Sequence, residues 1–110
     1  MHDFLSFNEG AATPFSAAHL AAAPAASGVY FLYRNERLVY VGAAVHGAGI
    51  RQELENHLRG SYGAATRAAT AFRYELTRNP VVAKHQYLQA HKERFGGRFP
   101  ACNTPERALA

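Results

Sequence analysis

A chain of 110 residues has room for one domain built round one modest core. Hydrophobic residues make up 48% of it, but alanine inflates that share and no apolar run is long enough for a membrane span, so a transmembrane protein is excluded. The formal charge of +4 is uneven, with +6 on residues 34–110 and −2 on the first 33, which suits a polyanionic partner such as nucleic acid as well as it suits a solvated basic surface.

Cys102 is the single cysteine, which rules out an internal disulfide and points to a reducing, cytoplasmic compartment. Residues 1–27 are rich in Ala, Ser and Pro. Met1-His2-Asp3 is not a basic leader and Pro14 and Pro24 interrupt the alanine run, so these residues read as a lead-in segment rather than a secretory signal. A short helix is expected near Ser16–Ala23, with Phe15 and Leu20 positioned to dock on the body.

Residues 29–33 and 38–41 are runs of β-formers without helical period, and Arg34-Asn35-Glu36-Arg37 between them reads as a hairpin turn. Gly42, Gly47 and Gly49 frame a loop. Ile50, Leu54 and Leu58 then repeat at four-residue spacing, which predicts a helix from Ile50 to Arg59 that stops at Gly60. Residues 61–70 are small and polar, fitting a loop or a short helix. Phe72, Tyr74 and Leu76 alternate with Arg73, Glu75 and Thr77, the pattern of a strand with one wet face. Asn79-Pro80 then opens a second helix, with Val81, Leu88 and Phe95 as its apolar stripe and Gly96-Gly97 as its stop. The expected product is an α/β domain over residues 28–103: a small three-stranded, mainly antiparallel sheet in the order β-β-α-β-α, flanked by helices, with residues 104–110 as a tail.

Tyr30 and Tyr40 lie ten residues apart on the two hairpin strands, ahead of the helix that carries Arg51, Glu53 and His57. Two phenol hydroxyls aimed at one spot beside a basic group can position a water and a phosphate. Two packed strand aromatics would show the same spacing.

With these residues in order, the chain resembles the GIY-YIG nuclease superfamily over roughly Gly28 to Asn103. Gly28-Val29-Tyr30 matches the first motif in its valine form, Tyr40-Val41-Gly42 the second, His57 a histidine often found on the first helix, and Pro100-Ala101-Cys102-Asn103 the closing motif. The resemblance implies a DNA endonuclease that hydrolyses phosphodiester bonds with a divalent metal, Mg or Mn. In that scheme Tyr30 helps deprotonate the attacking water, Tyr40 orients water and phosphate, and Asn103 braces the site. A helix arginine neutralises the phosphate and a glutamate of the last helix holds the metal.

Two positions depart from the family pattern. The arginine belongs one turn before the histidine, where Glu53 stands. Arg51 is the nearby substitute, two residues and about 200° further round the helix. The glutamate belongs three residues before Leu88, where His85 stands. These departures leave open a degenerate domain that binds nucleic acid or a protein partner without cleaving.

Read from the residues alone, Glu53 and His57 share one helix face at i, i+4, and with His85 they would offer a carboxylate and two imidazoles, a set suited to Zn, Mn, Fe or Ni more than Mg. The competing account pairs Glu53 with His57 or an arginine and leaves His85 as a half-buried histidine. Arg59, Lys84 and Lys92 are the candidate nucleic-acid contacts, and His46 is a further loop candidate.

Overall fold

The computed structural model describes residues 12–45, 47 and 49–103, so His46, the tail and the first eleven residues lie outside the described set. In chain order the elements are β1 (Thr13–Pro14), α1 (Ala17–Leu20), β2 (Gly28–Arg34), β3 (Arg37–Ala44), α2 (Gly49–Leu58), α3 (Ala64–Arg67), β4 (Ala71–Leu76) and α4 (Pro80–Arg94). The sheet runs β1-β4-β2-β3 with every neighbouring pair antiparallel.

It has four strands rather than the expected three. Thr13 pairs with Phe72 and Pro14 with Ala71. A two-residue strand shows no periodicity, and its proline sits on the sheet edge, where a missing N–H costs no ladder bond. Behind it, Phe15 and Leu20 are buried in the core. Residues 23–26 also close the start of α2: the Pro24 and Ala26 carbonyls accept from Arg51 N–H and Ile50 N–H at 3.0 Å, satisfying donors that a helix leaves unpaired at its first turn. The lead-in therefore packs on the body from Ala12 onward.

Central strand β2 is covered on both faces, which explains its unbroken apolar run. Tyr30 and Leu32 face Ile50 and Leu54 of α2 together with Phe15, Leu20 and Phe72. Val29, Phe31 and Tyr33 face the other way, against Tyr87 and Leu88 of α4. The two helices thus lie on opposite faces of the sheet. The hairpin turns at Asn35 and Glu36, both at positive φ (50° and 69°), as a tight two-residue turn requires.

On α4 the expected stripe is not the packed one: Val81 and Phe95 are exposed, and the covered positions are Pro80, Ala83, Leu88 and His91. These recur at helical spacing with mixed chemistry. A period sought in large apolar residues alone misses them. Pro80 opens the helix as expected, whereas the Asn79 side chain makes no cap bond. At the far end of β4, Tyr74 and Leu76 are exposed, so the alternation there reaches no core.

Candidate active site

Antiparallel pairing brings the two tyrosines to one face. Tyr30 pairs with Gly42 and Leu32 with Tyr40, so Tyr30 and Tyr40 are diagonal neighbours across the β2–β3 ladder, with ring centroids 6.1 Å apart. Gly42 is the reason this works. A Cβ there would meet Cε1 of Tyr30 at 2.7 Å and come closer still to Cζ and the hydroxyl, so the ring lies across a strand position that only glycine leaves open.

Helix α2 supplies the third group. Ile50 and Leu54 anchor it on the sheet, and one turn further on His57 is fully buried, with Nε2 3.0 Å from the Tyr30 hydroxyl and Nδ1 2.8 Å from the Thr66 hydroxyl. Its ring also packs edge-on or tilted against Tyr40 at 4.9 Å and Tyr62 at 4.6 Å. The end of α2 makes this enclosure. Gly60, at φ 85°, lets its own N–H reach His57 O and the Ser61 N–H reach Asn56 O, a glycine-terminated turn that sends the chain back over the helix. Tyr62 then lies over His57 and donates to Glu53 Oε1 at 2.9 Å, while α3 delivers Thr66 from below.

Asn103 acts through the backbone. Its Oδ1 accepts from Val41 N–H at 2.7 Å and its Nδ2 donates to Val41 C=O at 3.0 Å, so one amide side chain takes the place of a neighbouring strand between Tyr40 and Gly42. The Cys102 N–H to Val39 C=O bond extends this pairing along the free edge of β3.

Tyr30, Tyr40, His57 and Asn103 thus belong to one locality, and other expected residues do not. Arg51 donates from Nε to the Ala23 carbonyl at 2.7 Å, turned toward the lead-in segment as its angular offset from Glu53 requires. His85 is exposed on α4, the helix packed on the sheet face opposite α2, so it does not converge with Glu53 and His57. Arg59, exposed just past α2, donates to Asn56 Oδ1 beside Tyr62 and so stays near the tyrosines, whereas Lys84 and Lys92 ride on α4 across the sheet and do not share that surface. Both ring nitrogens of His57 already face hydroxyl groups, and no group of three His, Cys, Asp or Glu side chains arranged to hold an ion occurs among the described residues. The proposed Glu53–His57–His85 ligand set does not fit this geometry.

Burial pushes the Tyr30 phenol well above its ordinary value, helped by the neighbouring Tyr40, Glu53 and Tyr62. The group is therefore a neutral phenol at physiological pH, able to donate to His57 or pass a proton on, rather than a standing phenolate base. Tyr62 and Tyr87 are also raised, chiefly by burial and then by hydrogen bonding, to Glu53 and Glu75 respectively. A folded-state value above the unfolded one means that the unfolded chain holds fewer protons once the pH passes about 10, so this stabilisation is complete below that pH and is lost above it. In absorbance titration at 295 nm, Tyr30 and Tyr87 are expected to ionise only as the fold is lost. Simultaneous ionisation of all six tyrosines near pH 10, with the circular dichroism unchanged, would contradict this.

Sequence reasoning missed Thr66 and Tyr62, which complete the histidine's surroundings. Both lie in the small, polar stretch after Gly60, where no period marks a buried side. Their one available signal was the glycine stop itself, which turns the following residues back toward α2. No protein-family model matches the chain, and no curated protein matches it. No helix among the described residues is long and apolar enough to cross a membrane.

Proposed function

We propose that the chain is a GIY-YIG-type domain that binds nucleic acid, DNA foremost, without hydrolysing it. The observation that carries this reading is Glu53. Its carboxylate, held by the Tyr62 hydroxyl at 2.9 Å, sets a negative charge beside the Tyr30–His57 pair where the resemblance calls for an arginine on the phosphate. The nearest replacement, Arg51, is engaged by the Ala23 carbonyl. The basic body from Arg34 onward supplies the attraction to phosphate.

Metal-dependent hydrolysis of DNA is the second reading, favoured by the 3.0 Å contact between the Tyr30 hydroxyl and His57 Nε2. A neutral imidazole accepting at that nitrogen can take the Tyr30 proton as Tyr30 takes one from water, with Tyr40 alongside to hold the nucleophile. Fluorescence anisotropy with labelled duplex and single-stranded DNA separates the outcomes. With three phosphate contacts, affinity falls roughly 40-fold between 50 and 200 mM salt, and Arg59→Gln lowers the slope by about one contact. Incubation of the same DNAs with Mg, Mn, Zn and Ni is expected to leave them intact. Cleavage that disappears in Tyr30→Phe would establish the hydrolytic reading instead, and no binding at low salt would defeat both.

A further inference from the structure

On the α4 side of the sheet, away from Tyr30 and Tyr40, a cleft of about 530 Å³ opens between the β2–β3 turn, the end of α4 and the segment that leads to Asn103. Its lining includes Arg37, His91, Phe95, Arg98 and Phe99, with Glu36 as its one acidic side chain. The volume falls within the range typical of small-molecule sites.

The chemistry of the walls is specific. His91 is 7% exposed, and its Nδ1 lies 2.6 Å from the Arg98 carbonyl. A carbonyl only accepts, so the proton is on Nδ1 and, in the neutral ring, Nε2 carries the lone pair. Every fully buried side-chain nitrogen and oxygen among the described residues has a partner. Nε2 of His91 has none, so it opens to the cleft rather than into the protein. Arg37 and Arg98 are exposed, and their guanidinium groups have no ion-pair partner among the described residues. Beside the cleft, Lys92 stands 5.2 Å above the Phe99 ring, and Phe95 is 44% exposed next to the His91 ring at 4.5 Å.

We propose that this cleft is a second binding site, one that takes a single nucleotide. Its phosphate lies between Arg37 and Arg98, where planar guanidinium groups match phosphate oxygens in pairs. Its base lies against Phe95 and Phe99, and His91 Nε2 accepts a hydrogen from an N–H or O–H of the base or sugar. The guanidiniums of Arg37 and Arg98 outweigh the single carboxylate of Glu36, so the anion is favoured. The nucleotide can be free or the end of a strand, because both present the same phosphate and base.

The test is calorimetric titration of the full chain with a mononucleotide, with inorganic phosphate, and with a short oligothymidylate carrying or lacking a 5′-phosphate. Mononucleotide is expected to bind at least tenfold more tightly than inorganic phosphate. The double variant Arg37→Gln/Arg98→Gln should weaken it at least tenfold. Phe95→Ser, at an exposed ring, should weaken the nucleotide while leaving inorganic phosphate unchanged, and the melting temperature of each variant verifies folding. Preference for the phosphorylated oligomer over the mononucleotide identifies a strand end, and the reverse preference a free nucleotide; both support the site. Equal affinity for nucleotide and inorganic phosphate, binding unaffected by the arginine substitutions, or no binding of either ligand overturns it. Tyr40→Phe and Arg59→Gln should leave nucleotide affinity unchanged, so loss of duplex binding at the other face is read separately.

Discussion

Gly42→Ala is expected to cost about 3 kcal/mol of stability and to lower Tm by roughly 12–18 °C, a large effect for one added methyl group. The new Cβ has no free volume, because the Tyr30 ring and hydroxyl occupy the space it needs. The neighbour that must give is a ring that is 2% exposed and bonded to His57, so rotating it outward loses both its burial and that hydrogen bond. Moving strand β3 instead breaks the pairing of Val41 with Asn103. A double-mutant cycle tests the cause. In a Tyr30→Ala background the obstruction is gone, and Gly42→Ala should then cost less than about 1 kcal/mol. Equal cost in both backgrounds would mean that the glycine is needed for its backbone and not for the tyrosine. Where binding to DNA is measured in parallel, the single variant should also lose the Tyr40 and His57 arrangement, since all three rings pack on one another.

That glycine also marks how far the sequence was legible. The run of β-formers over residues 29–33, the polar turn Arg34-Asn35-Glu36-Arg37 and the four-residue spacing of Ile50, Leu54 and Leu58 are local signals, and the observed elements lie where they indicate, within a residue or two at their ends. What was not legible depends on contacts made from a distance. Strand β1 exists because β4 offers it an edge, not because Thr13–Pro14 has any β pattern of its own. The buried face of α4 contains a proline, an alanine and a histidine, and is covered because Val29, Phe31 and Tyr33 of β2 present a surface to it. His85 is exposed on α4, which packs on the sheet face opposite α2, and so the three-ligand set failed on which face each helix covers, something no local spacing records. The partners of His57 were illegible for a related reason. Thr66 and Tyr62 are ordinary surface residue types until the turn after α2 folds them against the ring. The short motifs singled out the tyrosines, His57 and Asn103, which the fold brings into one neighbourhood, but they hold no information about which hydroxyl closes the second nitrogen of a histidine.

Asn103→Ala is expected to cost about 2–4 kcal/mol, since both ends of its amide engage the Val41 backbone. The asparagine is fully buried and satisfies both the N–H and the C=O of Val41, so truncation leaves a donor and an acceptor without partners on the covered edge of β3. Asn103→Asp separates hydrogen-bond number from chemistry. A carboxylate retains the acceptor for Val41 N–H but sets a second acceptor, carrying charge, against the Val41 carbonyl, so it should be at least as damaging as alanine near neutral pH. Acidification toward the carboxyl's own pKa should narrow the difference, because a protonated carboxyl donates where the amide did. Amide hydrogen exchange gives the local readout. Val41 should lose protection in both variants while Phe31, paired with it from the interior strand β2, retains more of its own. If Val41 exchanges no faster in Asn103→Ala than in the parent chain, the edge is held by the Cys102–Val39 bond and by packing, and the asparagine is not what aligns Tyr40 with Tyr30.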